Sequence, residues 1–462
     1  METVKDAVII GGGPGGYAAA IKIAQLGGEA VIVEKGRLGG VCANYGCIPT
    51  KAMQASVKLL ERLRRAERFA IHLENESISY AEIVKRRERL VDASVRGIER
   101  LLDSYGIPVV MGVGEPLSKS SVKVSEGGQT RRIEAKNVVL ATGSLPQGMR
   151  ELEFDGERVL TSDDMLALNA PPESLTIVGG GAVGLEFATI FKALGTRITV
   201  LEKMERILPS EDWEVSEFMR RRMGRAGIEV MTGCQVKGLG RDGLEVKTRE
   251  GTKAIWSEKI LVAIGRKPRI NPGELARLGV KFSDRGIEVD RRMETNVKGI
   301  YAVGDVTGQP FLAHAAFAEG MACARNVMGG EAKIDLGKVP SCVYTIPEAA
   351  SVGIKTGGIE EESGYKVGRF PFAANAEARA LDETEGFVKV LVDRESNALV
   401  GAHAVGPAAA EIIAAATVAI ALGADAGKMK ECVIAHPTVT EALIEAVRDA
   451  DREALHAPGK DL

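Results

Sequence analysis

Aromatic residues are scarce in this chain: phenylalanine, tyrosine and tryptophan together make up 4% of the 462 residues. Proteins that bind single-stranded nucleic acid usually stack bases on such side chains. The formal net charge of −3 also gives no general attraction to a polyanion. The composition therefore argues against a nucleic-acid partner.

Cysteines and long apolar runs are also few. Six cysteines are too few for a disulfide scaffold in a chain of this length. The longest apolar run, Ala408–Leu422, contains Glu411 and falls short of the ~20 residues that a membrane span needs. The first apolar segment follows the start without a signal-peptide pattern. We expect a soluble, cytoplasmic protein with no membrane contact.

Glycine, by contrast, is abundant, with 54 residues in short clusters between apolar runs. In the first cluster, Val8–Ile10 leads into Gly11-x-Gly13-x-x-Gly16, an alanine-rich helical segment follows, and the next apolar run ends at Glu34. This order of strand, glycine turn, helix, strand and acidic residue is typical of a dinucleotide-binding unit.

A second segment repeats the same order. Leu175–Val178 leads into Gly179-x-Gly181-x-x-Gly184, and the following apolar run ends at Glu202. In both segments the glutamate lies eighteen residues beyond the last glycine (34 − 16 and 202 − 184). The glycines allow a tight turn, close approach of a pyrophosphate, and close packing of helix on strand, while the acid can accept from a ribose hydroxyl. The sequence therefore predicts two dinucleotide sites.

Two cysteines stand five residues apart directly after the first unit. Cys42 and Cys47 can close a small, labile disulfide ring, and a helix predicted to begin near Pro49 would favour the thiolate of Cys47. Zinc and buried inert thiols are the alternatives, but no second metal-ligand pair lies nearby in the sequence. The remaining cysteines are solitary and indicate small core residues: Cys234, Cys323, Cys342 and Cys432.

His436 differs from the other histidines because Pro437 follows it and an acidic residue, Glu441, comes at the start of the next helix. Thr438 and Glu441 match a capping box, in which Glu441 would only cap the helix. Alternatively, Glu441 orients His436 as an acid–base group. The sequence leaves both interpretations open.

Other segments have ordinary structural interpretations. We predict helices over Thr50–Phe69, Tyr80–Tyr105 and Ala408–Ala421, the last apolar on most faces and therefore buried in a core or a subunit contact. The basic run Arg62–Arg65 is interpreted as a solvated helix face rather than an anion site.

Taken together, the motifs resemble those of the FAD-dependent pyridine nucleotide–disulfide oxidoreductases, most closely the members that oxidise dihydrolipoamide. The resemblance spans nearly the whole chain and includes Gly304-Asp305 and Val339–Thr345. It departs from the family pattern at Tyr45, which is bulkier than the residue usual beside the cysteine pair.

The resemblance implies an FAD site on the first fingerprint, with Glu34 at the adenosine and Lys51 near the flavin, partnered by Glu186. Further FAD contacts are implied at Gly114, Gly143, Ser144, Asp305 and Ala313. NAD contacts are implied at Gly179, Gly181, Gly184, Glu202, Val236 and Gly265.

The resemblance also implies roles for the catalytic residues. Cys42 is the thiol that exchanges with substrate, and Cys47 is the thiol beside the flavin. His436 and Glu441 are an acid–base pair that acts on the neighbouring subunit of a homodimer.

The implied fold is α/β, with two Rossmann-like domains and an α+β dimerisation domain. We expect an FAD domain over residues 1–147, an inserted NAD domain over 148–270, a segment over 271–338 that completes the FAD domain, and the dimerisation domain over 339–462. The expected reaction is oxidation of a dihydrolipoyl group, carried by a lipoyl domain or lipoylated protein, with NAD⁺. The alternatives are a glutathione- or mercuric-reductase-like enzyme, or a docking subunit of a large complex.

Overall fold

The structure is a computed structural model that describes residues 4–74, 77–308 and 310–456. The α-helices are α1 (Pro14–Gln25), α2 (Gly40–Tyr45), α3 (Cys47–Leu63), α4 (Tyr80–Ser104), α5 (Ser162–Leu166), α6 (Ala182–Ala193), α7 (Trp213–Arg225), α8 (Pro272–Leu278), α9 (Ala313–Val327), α10 (Ala376–Ala380), α11 (Ala409–Ala421), α12 (Ala426–Lys430) and α13 (Glu441–Asp449). Short 3₁₀ turns cover Ala66–Phe69, Gly304–Thr307, Leu336–Lys338, Ile359–Gly364 and Phe372–Ala374.

The strands of the first half are β1 (Lys5–Ile10), β2 (Ala30–Glu34), β3 (Val109–Met111), β4 (Val113–Ser118), β5 (Ser121–Glu126), β6 (Gln129–Leu140), β7 (Ser144–Pro146), β8 (Val159–Leu160), β9 (Ser174–Val178), β10 (Arg197–Leu201), β11 (Glu229–Met231) and β12 (Gln235–Gly240). Those of the second half are β13 (Gly243–Thr248), β14 (Gly251–Ile255), β15 (Lys259–Val262), β16 (Arg266–Pro268), β17 (Phe282–Ser283), β18 (Gly286–Ile287), β19 (Ile300–Ala302), β20 (Ser341–Val343), β21 (Glu348–Gly353), β22 (Tyr365–Pro371), β23 (Phe387–Asp393) and β24 (Leu399–Gly406).

The chain forms two compact units. The first unit comprises the described parts of 1–53, 79–147 and 265–336. Its sheet has the order β3-β2-β1-β6-β5-β4, with β19 also on β6. Strands β1, β2, β3, β6 and β19 pair in parallel, whereas β4, β5 and the start of β6 pair antiparallel. The predicted β–α–β unit is confirmed as β1-α1-β2, and its apolar strand residues are buried because helices cover a parallel sheet.

The second unit comprises the described parts of 54–78, 148–264 and 337–462. Its parallel sheet has the order β11-β10-β9-β15-β8, and the predicted β–α–β unit is confirmed there as β9-α6-β10. A three-stranded sheet, β12-β13-β14, accompanies it. The C-terminal part is an antiparallel sheet in the order β20-β21-β24-β23-β22, with α11 and α13 in the same apolar core.

A buried ion cluster lies in the second unit. The Lys389 ammonium on β23 is fully buried and lies 2.6 Å from a Glu362 oxygen and 2.9 Å from Asp212, at the N-cap of α7. His403 on the neighbouring strand is also fully buried, and burial lowers its pKa to about 4. The cluster connects α7 to the C-terminal sheet, because Asp212 caps the helix and Lys389 lies on the sheet. The buried charge of Lys389 is tolerated because it is paired.

Two sequence predictions need correction in detail. The helix predicted over Thr50–Phe69 begins earlier, at Cys47, and ends at Leu63, and a separate 3₁₀ turn follows. Pro49 is accommodated inside the first turn, where a helix needs no N–H donor to an upstream carbonyl. The helix predicted over Ala408–Ala421 begins one residue later, at Ala409, and in the single chain it buries one face, including Ile412, while Val418 on the other face is 61% exposed.

Only the first half of the basic run lies on a helix, because Arg62 is in the last turn of α3 and Arg64 and Arg65 follow its end at Leu63. Arg62 donates to Glu383 at 2.9 Å and Arg64 to Glu61 at 2.6 Å, so these guanidinium groups have carboxylate partners within the chain.

Within the ranges that the structure describes, no helix is both long and apolar enough to cross a membrane.

Candidate functional site

The first glycine fingerprint makes the turn between β1 and α1. Gly11 has a φ of +112°, and a Cβ there would lie 2.2 Å from the carbonyl oxygen of Ala141. A Cβ on Gly16 would lie 1.9 Å from the carbonyl oxygen of Gly11. Gly13 is the N-cap of α1 and has no side chain to cover the first N–H groups of the helix. The turn therefore presents backbone donors of the kind that bind a phosphate.

Glu34 ends β2 beside this turn. One carboxylate oxygen accepts from the N–H of Gly12 at 2.7 Å, and the other accepts from the N–H of Gly36 at 2.8 Å. Each oxygen keeps a second lone pair. The carboxylate is therefore fixed in place and can still accept from a ribose hydroxyl.

The second fingerprint has the same geometry. Gly179 has a φ of +114°, and a Cβ on Gly184 would lie 2.1 Å from the carbonyl oxygen of Gly179. Gly181 is the N-cap of α6. Glu202 is buried and accepts from the N–H of Gly180 at 2.7 Å. It also accepts from the N–H of Met204 at 2.7 Å.

The structure places the other proposed NAD residues, Val236 and Gly265, and the proposed Lys51 partner, Glu186, in different surroundings. Val236 is buried on β12, in the apolar core beneath the second fingerprint. Gly265, with a φ of +126°, belongs to the first unit, where its carbonyl oxygen accepts from the N–H of Gln147 at 2.9 Å. Glu186 is buried on α6 and accepts from the N–H of Tyr344 at 3.0 Å.

Several of the predicted FAD residues meet at one turn of the first unit. Ser144 on β7 follows Gly143, which has a φ of +75°. Its hydroxyl donates to a carboxylate oxygen of Asp305 at 2.5 Å. Ala313 is the first residue of α9, and Gly114 lies on β4, where an added Cβ would lie 3.0 Å from Val33.

Sequence reasoning missed Glu319, which supports this turn from α9. The residue is 1% exposed, and its carboxylate accepts from the N–H of Gly304 at 2.6 Å. Burial raises the pKa of Glu319 to about 7, and the charge of Asp305 adds to the rise. The carboxylate faces a residue fifteen positions earlier, so no local motif could have revealed it.

We predict that Glu319→Gln changes the pH dependence of stability of the apoprotein. Because the pKa is raised from 4.5 to about 7 in the folded chain, the folded state keeps a proton that the unfolded state loses as pH rises from about 4.5 to 7. Wild-type stability should therefore fall across that range, by about 3 kcal/mol at most, relative to the variant. Thermal midpoints between pH 5 and 8 test this. Parallel curves of thermal midpoint against pH for the wild type and Glu319→Gln would contradict the prediction. Glu331→Gln, which removes a highly exposed carboxylate, is the control and should give a curve parallel to that of the wild type.

The two motif cysteines lie at a junction between two helices. Cys42 is in the middle of α2, and Cys47 is the first residue of α3, with Gly46 between them. The structure holds them as thiols rather than as a disulfide. Their mutual hydrogen bond and burial raise the pKa of Cys42, while the positive charge of Lys51 opposes the rise.

This junction is attached to the first fingerprint. The N–H of Gly39, just before α2, donates to the carbonyl oxygen of Gly12 at 2.8 Å. Tyr17 on α1 is close enough that the two thiols contribute to its raised pKa of about 12, although burial is the larger cause. Tyr45, the departure from the family pattern, is 49% exposed. A thiol pair on a segment that is hydrogen-bonded to a dinucleotide-binding turn is suited to exchange an electron pair with a redox cofactor bound at that turn.

His436 and Glu441 form a contact pair in the second unit. The Nδ1 atom of His436 lies 2.9 Å from one oxygen of Glu441, and the other oxygen accepts from the N–H of Thr438 at 2.8 Å. Partial burial opposes ionisation, but these bonds lower the pKa of Glu441 below its ordinary value. The His436 side chain is 65% exposed. It is thus held at one ring nitrogen and open to solvent.

The predicted capping box is wrong in its reciprocal half. The hydroxyl of Thr438 donates to the carbonyl oxygen of Ala435 at 3.0 Å, and α13 begins only at Glu441, with Thr440 as its N-cap. Glu441 still accepts from the N–H of Thr438 and also contacts His436, so one carboxylate makes both of the contacts on which the two interpretations rest.

Comparisons with known proteins agree with this geometry. Residues 5–320 match the model of the pyridine nucleotide-disulphide oxidoreductases, and residues 339–447 match the dimerisation domain of the same family. This second match supports a homodimer.

Curated relatives are similar over nearly the whole chain. A dihydrolipoyl dehydrogenase of Bacillus subtilis is 38% identical over 97% of this chain and 99% of its own. A dihydrolipoyl dehydrogenase of Thermus scotoductus is 39% identical over 98% of each chain.

Solved structures share the fold. LpdA from Mycobacterium tuberculosis has a TM-score of 0.89 at 29% identity and covers 96% of this chain and 99% of its own. The flavoprotein disulfide reductase RclA from Escherichia coli has a TM-score of 0.82 at 24% identity, with the same coverage, and supports the fold alone. With family matches over most of the chain and relatives well above 30% identity, the chain belongs to the pyridine nucleotide-disulphide oxidoreductases, a family of flavoenzymes that use FAD and NAD(H).

Proposed function

We propose that this protein oxidises dihydrolipoyl groups with NAD⁺, using the Cys42–Cys47 pair and bound FAD. The observation that carries the proposal is the pair of hydrogen-bonded thiols at the α2–α3 junction, attached to a dinucleotide-binding turn. The names of the full-length relatives support dihydrolipoyl as the substrate rather than another dithiol.

The residues of the first unit fit FAD. The open start of α1 suits the pyrophosphate, and the Glu34 carboxylate suits the adenosine ribose. Asp305 offers a further acceptor for a cofactor hydroxyl. Bound FAD supplies two-electron chemistry, which a dithiol and a nicotinamide need in order to exchange an electron pair.

We propose that the substrate reacts with the disulfide form of the pair. One substrate thiolate attacks the sulfur of Cys42, and the Cys47 thiolate leaves. The second substrate thiolate then attacks the mixed disulfide, the Cys42 thiolate leaves, and the lipoyl disulfide closes. The substrate loses an electron pair and two protons, and the cysteine pair gains the electron pair and reaches its dithiol form. NAD⁺ is the final oxidant.

His436 is the proposed base for the thiol proton. Its Nδ1 atom is held by Glu441, which leaves Nε2 for proton transfer, and the Glu441 carboxylate stabilises the imidazolium that results. We propose that His436 serves the cysteine pair of the partner subunit, as the resemblance implies.

We propose that a lipoyl domain or lipoylated carrier protein delivers the substrate in the cytoplasm, and that Lys51 pairs with Glu186 near the flavin. We further propose the division into domains at residues 147, 270 and 338, together with Ala313, Gly114, Val236 and Gly265 as cofactor contacts.

Glu202 is the proposed determinant of coenzyme choice. Its carboxylate accepts from a ribose 2′-hydroxyl but repels a 2′-phosphate, so Glu202→Gln should lower the preference for NAD⁺ over NADP⁺ in kcat/KM by about 10–100-fold. Steady-state kinetics with both coenzymes measure this. Glu205→Gln is the matched control, because Glu205 is an exposed acid three residues away that pairs with Arg249. An equal shift in the control would contradict a specific role for Glu202.

The function itself is tested by donor and acceptor selectivity. Purified protein with FAD should form NADH from NAD⁺ and free dihydrolipoamide. It should form little NADPH from NADP⁺, and it should not reduce glutathione disulfide with NADPH. Efficient glutathione reductase activity together with inactivity toward dihydrolipoamide would overturn the proposal.

A further inference from the structure

Arg266 lies behind the Asp305 turn, in a position that no motif assigned. It is the first residue of β16, which pairs antiparallel with β7 so that Arg266 lies opposite Pro146. Its Nε atom donates to the hydroxyl oxygen of Ser144 at 2.7 Å, and its Nη2 atom donates to the Ser144 carbonyl oxygen at 3.3 Å. The guanidinium therefore holds both the backbone and the side chain of Ser144.

The hydrogen bonds through Ser144 run in one direction. Because Arg266 can only donate, the Ser144 oxygen accepts from it and uses its single proton to donate to Oδ2 of Asp305 at 2.5 Å. Ser144 is 4% exposed, so solvent does not compete for this proton. Within the described chain, the other oxygen of Asp305, Oδ1, has no hydrogen-bond partner and remains an acceptor for a ligand.

The charge of Arg266 also acts on Asp305. Burial raises the pKa of Asp305, and the Ser144 hydrogen bond and the charge of Arg266 oppose that rise. Glu319 on α9 is the acidic neighbour, since the charges of the two carboxyl groups interact. Arg266 is positive at every relevant pH, and it is the nearby cation that favours the carboxylate form.

We propose that Arg266 is a positioning residue for FAD, which acts through Ser144 to fix the orientation and the ionised state of Asp305. The proposal rests on the proposed role of Asp305 as an acceptor for a cofactor hydroxyl. An ionised carboxylate only accepts, on both oxygens, whereas a protonated carboxyl group carries a donor on one of them, so the ionised form can use one oxygen for Ser144 and present the other to the cofactor as an acceptor.

The affinity of the apoprotein for FAD tests this, measured by the quenching of flavin fluorescence. Arg266→Met should raise the Kd for FAD about 10–100-fold, with a larger increase at pH 6 than at pH 8, because Asp305 is then protonated more readily. Ser144→Ala, which breaks the same connection without removing a charge, should also raise the Kd. Lys267→Met removes a cation from the neighbouring exposed position of β16 and should leave the Kd within about twofold.

A double variant separates positioning from direct contact. If Arg266 acts through Asp305, Arg266→Met should weaken binding little further in an Asp305→Asn background. The proposal would be overturned if the binding free-energy losses of the two single variants simply added in the double variant. It would also be overturned if Arg266→Met left the Kd unchanged while Asp305→Asn bound FAD poorly. An unchanged Kd in Asp305→Asn would instead contradict the role of Asp305 itself. Circular dichroism and thermal midpoints identify any variant that fails to fold. If Arg266→Met is such a variant, the Kd of Ser144→Ala for FAD tests the proposal, and an unchanged Kd there contradicts it.

Discussion

Replacing Cys42 with serine should reduce NADH formation from dihydrolipoamide by about 10⁴-fold or more, a loss of the size that follows removal of the residue that forms the covalent intermediate. A hydroxyl cannot form the disulfide that accepts the substrate's electron pair, so no alternative group on the chain can take over. NADH absorbance under saturating substrate measures the loss.

Cys432→Ser is the matched control for this variant. Cys432 is an exposed cysteine in the second unit, so its replacement should leave activity unchanged. Reduction of ferricyanide by NADH should survive in Cys42→Ser, because that reaction needs the flavin and the nicotinamide site but no thiol. Substantial dihydrolipoamide oxidation by Cys42→Ser would show that the cysteine pair is not the site of exchange.

His436→Gln should lower dihydrolipoamide oxidation by about 10²–10⁴-fold, the range that general acid–base groups contribute. The glutamine can occupy similar space but cannot take a proton from a thiol. NADH-driven ferricyanide reduction should again survive, since no thiol proton moves. His456→Gln is the control: His456 is also exposed, and its Nδ1 atom lies 3.6 Å from Glu445 in a similar ion-pair geometry. Equal losses in both variants would contradict a specific role for His436.

Mixed dimers test whether His436 acts across the subunit interface. Refolding Cys42→Ser together with His436→Gln should restore some activity, because a mixed dimer combines an intact cysteine pair on one subunit with an intact histidine on the other. Mixed dimers that form but remain inactive would show that His436 acts within its own chain or not at all.

Local motifs predicted most of the dinucleotide-binding geometry. Gly11 and Gly179 require positive φ values next to a strand, and Glu34 and Glu202 follow at the spacing that one helix and one strand impose. These features are contiguous in sequence, so their geometry depends on local backbone constraints that residue type reveals. The cysteine junction was predicted for the same reason, although α3 begins two residues before Pro49.

Contacts between distant segments could not be predicted in this way. Glu319 binds the Gly304 turn, and Arg266 reaches Ser144 across 122 residues of chain. Neither residue lies in a pattern that distinguishes it from a surface charge, because burial and partner are decided by how strands and helices pack. The cluster around Lys389 was missed for the same reason: its partners come from several separate segments.

The most direct test of the central claim is a single-turnover reaction without oxygen. Protein with bound FAD and an oxidised cysteine pair is mixed with one equivalent of dihydrolipoamide per subunit, and NAD⁺ is added afterwards. We predict that one lipoamide forms per subunit before NAD⁺ is added, that the visible spectrum of the bound flavin changes at that stage, and that NAD⁺ then restores the original spectrum with about one NADH per lipoamide. An unchanged spectrum with no lipoamide, while added NADH still reduces the flavin, would contradict the claim that this protein passes electrons from a dihydrolipoyl group to NAD⁺.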